Sequence, residues 1–383
     1  MAIQAALVRA VVAAGLVLHA AAAAHHRHHL RGNASGSPSG CRRSSDIVYV
    51  SFERTELYQY VASYHTGRAL AGKARVHHLN LVNTRTEYGR PSRLAVDTSA
   101  HADPDVHRVD MDMAQVTGYA DFWRQYMHSS ANGRDYEMLC IARFLALRDF
   151  CMESGVDVFT HLDGDLMLFD DAVLDAMCVP PNRTAWHYSK GSTFLSTMTC
   201  REVGLFADFL LRFYVRANRT QVALDLHRLG APGIIDDPHR MEIEWAAPEF
   251  VAAGVEPRQV SDMFLMRAFY EGNHTAGPTH HPSNPYFLRD EFARVDNMTP
   301  LENMRYMFDP DTARRLCEDE AVFDANMRLS ETEHQYRANG EWHTLLGAHF
   351  QGSECKPHLV RSLGGPVLGG GGGRSVGREG ATT

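Results

Sequence analysis

Val156-Asp157-Val158-Phe159-Thr160-His161-Leu162-Asp163-Gly164-Asp165-Leu166-Met167-Leu168-Phe169 is the stretch that decides the fold. An apolar, β-branched run leads into two carboxylates at i and i+2, and apolar residues resume at once. Such a run predicts a strand buried in a sheet, with Asp163 and Asp165 at its end. Alternation along an extended chain puts both carboxylates on one side, and Gly164 lets the backbone approach a ligand closely. Adjacent carboxylates repel unless a cation sits between them. Mn²⁺ or Mg²⁺ suits such hard oxygen donors and keeps positions open for phosphate oxygens. The plainer reading is an Asp-Gly-Asp turn after a strand, which is ordinary loop chemistry.

Upstream, Arg134 to Ser154 is apolar almost all round, with Met138, Leu139, Ile141, Phe144, Leu145, Leu147 and Phe150. It predicts a buried helix closed by Gly155 as its C-cap. Arg143 falls angularly among Leu139, Leu147 and Phe150, and a guanidinium carried inward needs a partner. That partner is either a carboxylate in a structural ion pair or a phosphate or sugar held near Asp163. Asp46 to Ser51 reads as a buried first strand, Thr55 to Leu70 as a helix, Arg75 to Val82 as a second strand and Val106 to Met111 as a third. This succession predicts a largely parallel α/β sheet. Asn83 to Pro104 reads as a long excursion rich in turn residues.

Downstream, Asp171 to Met177 is a short helix, and Trp186 to Thr193 a strand entering a small-residue loop. Thr199-Cys200-Arg201-Glu202 is a capping box opening an amphipathic helix to Ala217. Ala231 to Glu244 carries Asp236, Asp237, Glu242 and Glu244 and reads as a solvated face. Ser261 or Asp262 caps a further helix. Leu345 to Pro357 sets His349 after an apolar strand, then a Gly turn, then Lys356, which offers a metal ligand and a phosphate cation together.

The remaining composition bounds the class. The chain has 383 residues, 44% apolar and 22% charged, with formal net charge -8, enough for one large domain or two small ones. A mildly acidic chain without a basic cluster beyond its N-terminal tail argues against a nucleic-acid partner. Met1 to Ala24 is Ala/Val/Leu-rich and predicts a secretory signal or an uncleaved anchor, and residues 25–45 a polar linker or stem. Asn-X-Ser/Thr acceptors at Asn33, Asn182, Asn218, Asn273 and Asn297 agree with a lumenal chain. Its seven cysteines show no zinc spacing and predict one or two disulfides with one Cys left over. Beyond Leu363 the Gly-rich segment reads as a disordered tail, 363–383, leaving 46–362 as the folded domain.

These parts resemble GT-A-fold glycosyltransferases over roughly residues 46–360: the β-α-β opening, the Arg143 helix, Asp163-Gly164-Asp165 and the closing His349-Phe350-Gln351-Gly352…Lys356. The closing element is similar to that of glycosyltransferase family 8, with one more residue between Gly352 and Lys356 than the shortest family form. The resemblance implies a mixed, mostly parallel sheet flanked by helices. It implies a nucleotide-sugar donor, a UDP-sugar, and a glycan, protein or lipid acceptor. It further implies Mn²⁺ (or Mg²⁺) on Asp163, Asp165 and His349, and diphosphate contacts from Gly352, Lys356 and Arg143. Ser51 falls at the nucleoside edge, Ser192 and Thr193 on the sugar side, and Asp262 serves as acceptor contact or general base. The implied compartment is the Golgi or ER lumen, the chain being secreted or anchored in the membrane by its N-terminus. A rival is a haloacid-dehalogenase-type phosphatase with Asp163 as nucleophile and Asp236-Asp237 as its second acidic motif, although Met167 stands where that family has Thr or Val. A non-catalytic, lectin-like lumenal protein that binds a nucleotide-sugar is a third reading.

Overall fold

The computed structural model describes residues 41–52, 57–85, 104–130, 132–179, 185–187, 194–230, 248–271, 317, 319–330, 333–338, 340–350 and 355–369. Met1–Cys41 and Arg42–Thr383 form separate units, and every helix and strand of the described residues belongs to the second. The expected signal or anchor, residues 25–40 of the linker and the acidic stretch from Ala231 lie outside the described residues. The described chain joins the fold earlier than the linker reading has it. Arg42 exchanges backbone hydrogen bonds with Val179 at 2.8 and 2.9 Å, and Ser44 is buried.

The chain opens with β1 (Asp46–Phe52), α1 (Leu57–Ala69), β2 (Arg75–Val82) and β3 (Val106–Asp112). Then come α2 (Tyr119–Gln125), α3 (Arg134–Ser154), β4 (Val158–Leu162), β5 (Leu166–Leu168), α4 (Ala172–Ala176) and β6 (Ala185–His187). β7 (Leu195–Thr199), α5 (Cys200–Tyr214), α6 (Arg219–Leu229), α7 (Pro248–Ala253) and α8 (Asp262–Glu271) follow. The last elements are α9 (Glu320–Asn326), β8 (Met327–Leu329), β9 (His334–Ala338), β10 (Glu341–Thr344), β11 (Gly347–His349) and α10 (Cys355–Gly369).

The main sheet has the order β3-β2-β1-β4-β7-β6, parallel from β3 to β4 and antiparallel at β7. This is the expected mixed, mostly parallel sheet. Strand alternation divides β1 between two cores. Val48 and Val50 face α3 and α5, while Ile47 and Tyr49 face α1 and the segments after β4. Both faces are therefore covered, which is why the strands read as apolar runs rather than alternating ones.

Local signals set the helix ends. Gly155 takes φ 68° as the C-cap of α3 and donates its N–H to Cys151 O, a conformation cheap only for glycine. Thr199 caps α5 by accepting the Glu202 N–H, although the helix stops at Tyr214 rather than Ala217. α10 continues to Gly369, past the expected boundary at 362. Buried Leu359 and Leu363 hold it in the core beside α1, and His65 Nε2 bonds Leu363 O at 2.8 Å.

All cysteines but buried Cys140 are disulfide-bonded, more than the expected one or two bridges. Cys151–Cys200 joins α3 to α5, and Cys317–Cys355 secures the start of α10. Beneath the sheet end, Tyr49 Oη donates to Leu166 O at 2.8 Å and lies 2.8 Å from Thr66 Oγ1, which accepts the Leu168 N–H at 3.1 Å. No helix among the described residues is long and apolar enough to cross a membrane.

Candidate functional site

β4 carries the chain to the carboxyl edge of the sheet, where ligands of open α/β sheets bind. The pairing with β7 runs one residue further, Asp163 N–H bonding Phe194 O in register at 2.9 Å. The extended path then ends as Leu166 N–H bonds Asp163 O at 3.1 Å, closing a turn over Asp163-Gly164-Asp165. The expectation that alternation puts both carboxylates on one side of a strand is thereby corrected: a turn aims them at different partners.

Asp163 meets Arg143, whose Nη1 lies 2.6 Å from its Oδ1. Arg143 Nη2 lies 2.6 Å from Asp262 Oδ2, so one guanidinium bridges a carboxylate at the end of β4 and another at the start of α8. The structure gives Arg143 the carboxylate partners of the ion-pair reading, one of them Asp163 itself. Burial by itself would raise the Asp163 carboxyl, but the Arg143 charge, with His161 and His349, brings it below its ordinary value. The Asp163 side chain remains 31% exposed, whereas those of Arg143 and Asp262 are 7% and 8% exposed.

Asp165 turns to the closing element. β11 pairs antiparallel with β5, setting His349 opposite Leu166, and Phe350 N–H bonds Asp165 O at 2.8 Å. His349 Nε2 then lies 3.2 Å from Asp165 Oδ1 and Lys356 Nζ 3.6 Å from Asp165 Oδ2. Phe194 stacks on the His349 ring at 5.0 Å, and Tyr58 lies beneath the Lys356 ammonium at 4.3 Å. A site residue 184 positions away from Asp165 along the numbering of the chain therefore reaches it through a short strand pair.

Two carboxylates and an imidazole are donors of the right chemistry for Mn²⁺ or Mg²⁺. Asp165 and His349 already face each other, while Asp163 Oδ1 is committed to Arg143. Among the described residues, no group of three or more His, Cys, Asp or Glu is arranged to hold a metal ion.

Ser51 stands at the end of β1, alongside the acidic turn through the Tyr49–Leu162 register. It is fully buried, lying 3.1 Å from His78 Nε2 and donating to Asn80 Oδ1 at 3.2 Å. Asn80 continues the network to Asp110 on β3 at 2.9 Å. Burial, with Arg108, lowers His78 to about 3, so it is a neutral link in this network. Ser192, Thr193 and Gly352 lie outside the described residues.

Sequence reasoning missed Glu137. It is buried six residues before Arg143 on α3 and accepts hydrogen bonds from Ser130 Oγ at 2.9 Å, Asn132 Nδ2 at 2.7 Å and the Asp262 backbone N–H. The available signal was a carboxylate inside an otherwise apolar helix. Tyr58 and Phe194 carried none, because their roles depend on the closing element.

No protein-family model matches the chain, and no curated protein matches its sequence. Among solved structures, it is similar to the galactosyltransferase LgtC in complex with donor and acceptor sugar analogs, at TM-score 0.30 and 14% identity. That comparison covers 44% of this chain and 64% of LgtC, so the chain spans less than two thirds of it. An active-site mutant of LgtC gives TM-score 0.30 and 12% identity over 63% of this chain and 81% of that one. At these levels the activity of LgtC belongs to LgtC alone, and the function of this chain rests on its own residues.

Proposed function

We propose that this chain is a glycosyltransferase that moves a sugar from a nucleotide-sugar donor, a UDP-sugar, to an acceptor hydroxyl on a glycan, protein or lipid. The observation that carries the reading is the convergence of Asp163, Asp165, Arg143, Asp262, His349 and Lys356 at one sheet edge, from four separate parts of the chain. Mixed acidic and cationic groups of this kind fit a ligand that is itself a diphosphate with a cation.

In this reading Asp165 and His349, which face each other, would hold Mn²⁺ or Mg²⁺ together with Asp163 once it gives up its Arg143 bond, and the ion would supply charge neutralisation of the leaving diphosphate. Lys356 adds a point cation next to Asp165, and Arg143 a planar fork next to Asp163. Asp262 orients the acceptor hydroxyl or takes its proton. β11 and the start of α10 shield the donor from water. The lumenal compartment, Golgi or ER, with a secreted or N-terminally anchored chain, is supported by the disulfides and by the exposed Asn218 acceptor.

The test is a panel of UDP- and GDP-sugars against the purified chain, with and without Mn²⁺, read by thermal shift and by donor hydrolysis. Stabilisation by one nucleotide class only with metal, together with hydrolysis, is the expected result. No stabilisation by any nucleotide-sugar sinks the proposal, and stabilisation without turnover on any acceptor replaces it with the non-catalytic binding protein.

A further inference from the structure

At the other end of α1 from Tyr58, its last two turns face the loop after β5 and the first residue of β9. Between them lies a cavity of about 180 Å³ lined by Tyr64, His65, Arg68, Ala69, Phe169 and His334. One wall is aromatic: the Phe169 and His334 rings stack on each other at 4.0 Å with 8° between their planes, leaving a ligand their edges and outer faces. Tyr64 supplies a second ring, edge-on to His65 at 5.1 Å. His65 is fixed: Leu363 O can only accept, so His65 Nε2 carries the proton of their 2.8 Å bond.

Arg68 is the exposed group of the lining. Its guanidinium sits 5.9 Å from the Tyr64 ring centre and donates a long 3.4 Å bond to Tyr64 Oη. Among the described residues it has no carboxylate partner. Burial, and then His65, holds His334 below its ordinary range, so at neutral pH His334 is a hydrogen-bonding ring and not a second cation. Among the described residues the cavity therefore combines one cation without a carboxylate partner with aromatic walls. Its volume of about 180 Å³ is under the roughly 300 Å³ at which drug-sized pockets begin and suits a single ring better than a nucleotide.

We propose that this cavity binds a single six-membered ring bearing one carboxylate or phosphate, the ring against Phe169, His334 and Tyr64 and the anion on the Arg68 fork. The shared chemistry could come from an acidic sugar or from an aromatic acid, and the test separates them.

Ligand-observed NMR and calorimetry on the full chain at pH 7 would use glucuronate, glucose 6-phosphate, benzoate, glucose and inorganic phosphate as probes. At least one ring anion should bind, with glucose and inorganic phosphate each at least tenfold weaker. Arg68→Ala should weaken that anion at least tenfold while leaving the melting temperature unchanged, since Arg68 is exposed. Arg68→Lys should restore part of the affinity. Preference for glucuronate or glucose 6-phosphate over benzoate identifies a sugar acid, and the reverse an aromatic acid. The proposal is overturned if glucose binds as well as glucuronate, if Arg68→Ala leaves anion affinity unchanged, or if no ring anion binds.

Discussion

Arg143 divides its planar fork between Asp163 and Asp262, residues 20 and 119 positions away from it. A lysine reaches one oxygen cluster, not two separate ones. Arg143→Lys should therefore leave buried Asp262 or Asp163 underpaired and cost about 2 kcal/mol or more, toward the ~3–5 kcal/mol of a broken buried pair. Urea unfolding measures the loss, and an unchanged midpoint would remove the bridge from the stability of the fold. Glu137 makes the stability depend on pH. Burial first, and then the Asp262 charge, pushes its carboxyl up to about 7. From its unfolded value of about 4.5 up to about 7, the folded chain holds a proton that the unfolded chain has released. Stability from this group is therefore fully present below that window and lost as pH rises through it. Glu137→Gln keeps the shape without the titration, so the fall in urea midpoint between pH 5 and 7.5 should flatten. An equally steep fall in the variant would assign the slope to other groups.

The smallest elements bring the site together. β5 and β11 have three residues each, and the approach of their backbones depends on Gly347. A Cβ there would lie 2.8 Å from Met167 O, closer than backbone can tolerate. Gly347→Ala should push β11 off β5, cost about 1–3 kcal/mol as an overpacked substitution and draw His349 away from Asp165. The melting temperature and the imidazole NMR shifts of His349 report the two effects, and neither should move if the strand pair is dispensable. Elements with strong local signals were legible in the sequence: the apolar runs of β1 and β2, the buried helix ending at Gly155 and the Thr199 cap. The composition of Asp163-Gly164-Asp165 suits a strand end or a turn, both of which the sequence left open, and only the bond from Leu166 N–H to Asp163 O decides for the turn. α2, α6 and the three-stranded sheet β8–β10 were not read at all; two are short, and their cores are supplied by other elements. Of the site, the residue types were legible, but the bridge from Arg143 to both Asp163 and Asp262 was not. Such pairing is set by the tertiary path and leaves no spacing rule behind.

Across the whole molecule, the parallel order β3-β2-β1-β4 joins strands far apart in sequence, so the fold depends on long-range closure. Cys317–Cys355 closes a separation of 38 residues and fixes the base of the helix that carries Lys356. Replacing both cysteines by serine should cost about 4 kcal/mol on the chain-entropy model. A denaturation midpoint that does not fall would mean the unfolded chain is already constrained there. The hydroxyl pair Tyr49–Thr66 has its own consequence for how β1, α1 and β5 act together. Leu168 N–H can only donate and Leu166 O can only accept, so Thr66 must give its hydrogen to Tyr49 and Tyr49 must give its own to Leu166. The protons of the chain are ordered in one direction, from Leu168 through two side chains back to Leu166. Each bond then polarises the next, and burial keeps the Tyr49 phenol protonated at every working pH. The small strand that carries the closing element is thus fastened to the main sheet by a hydrogen-bond relay with a single allowed sense, whose members stand or fail as a set.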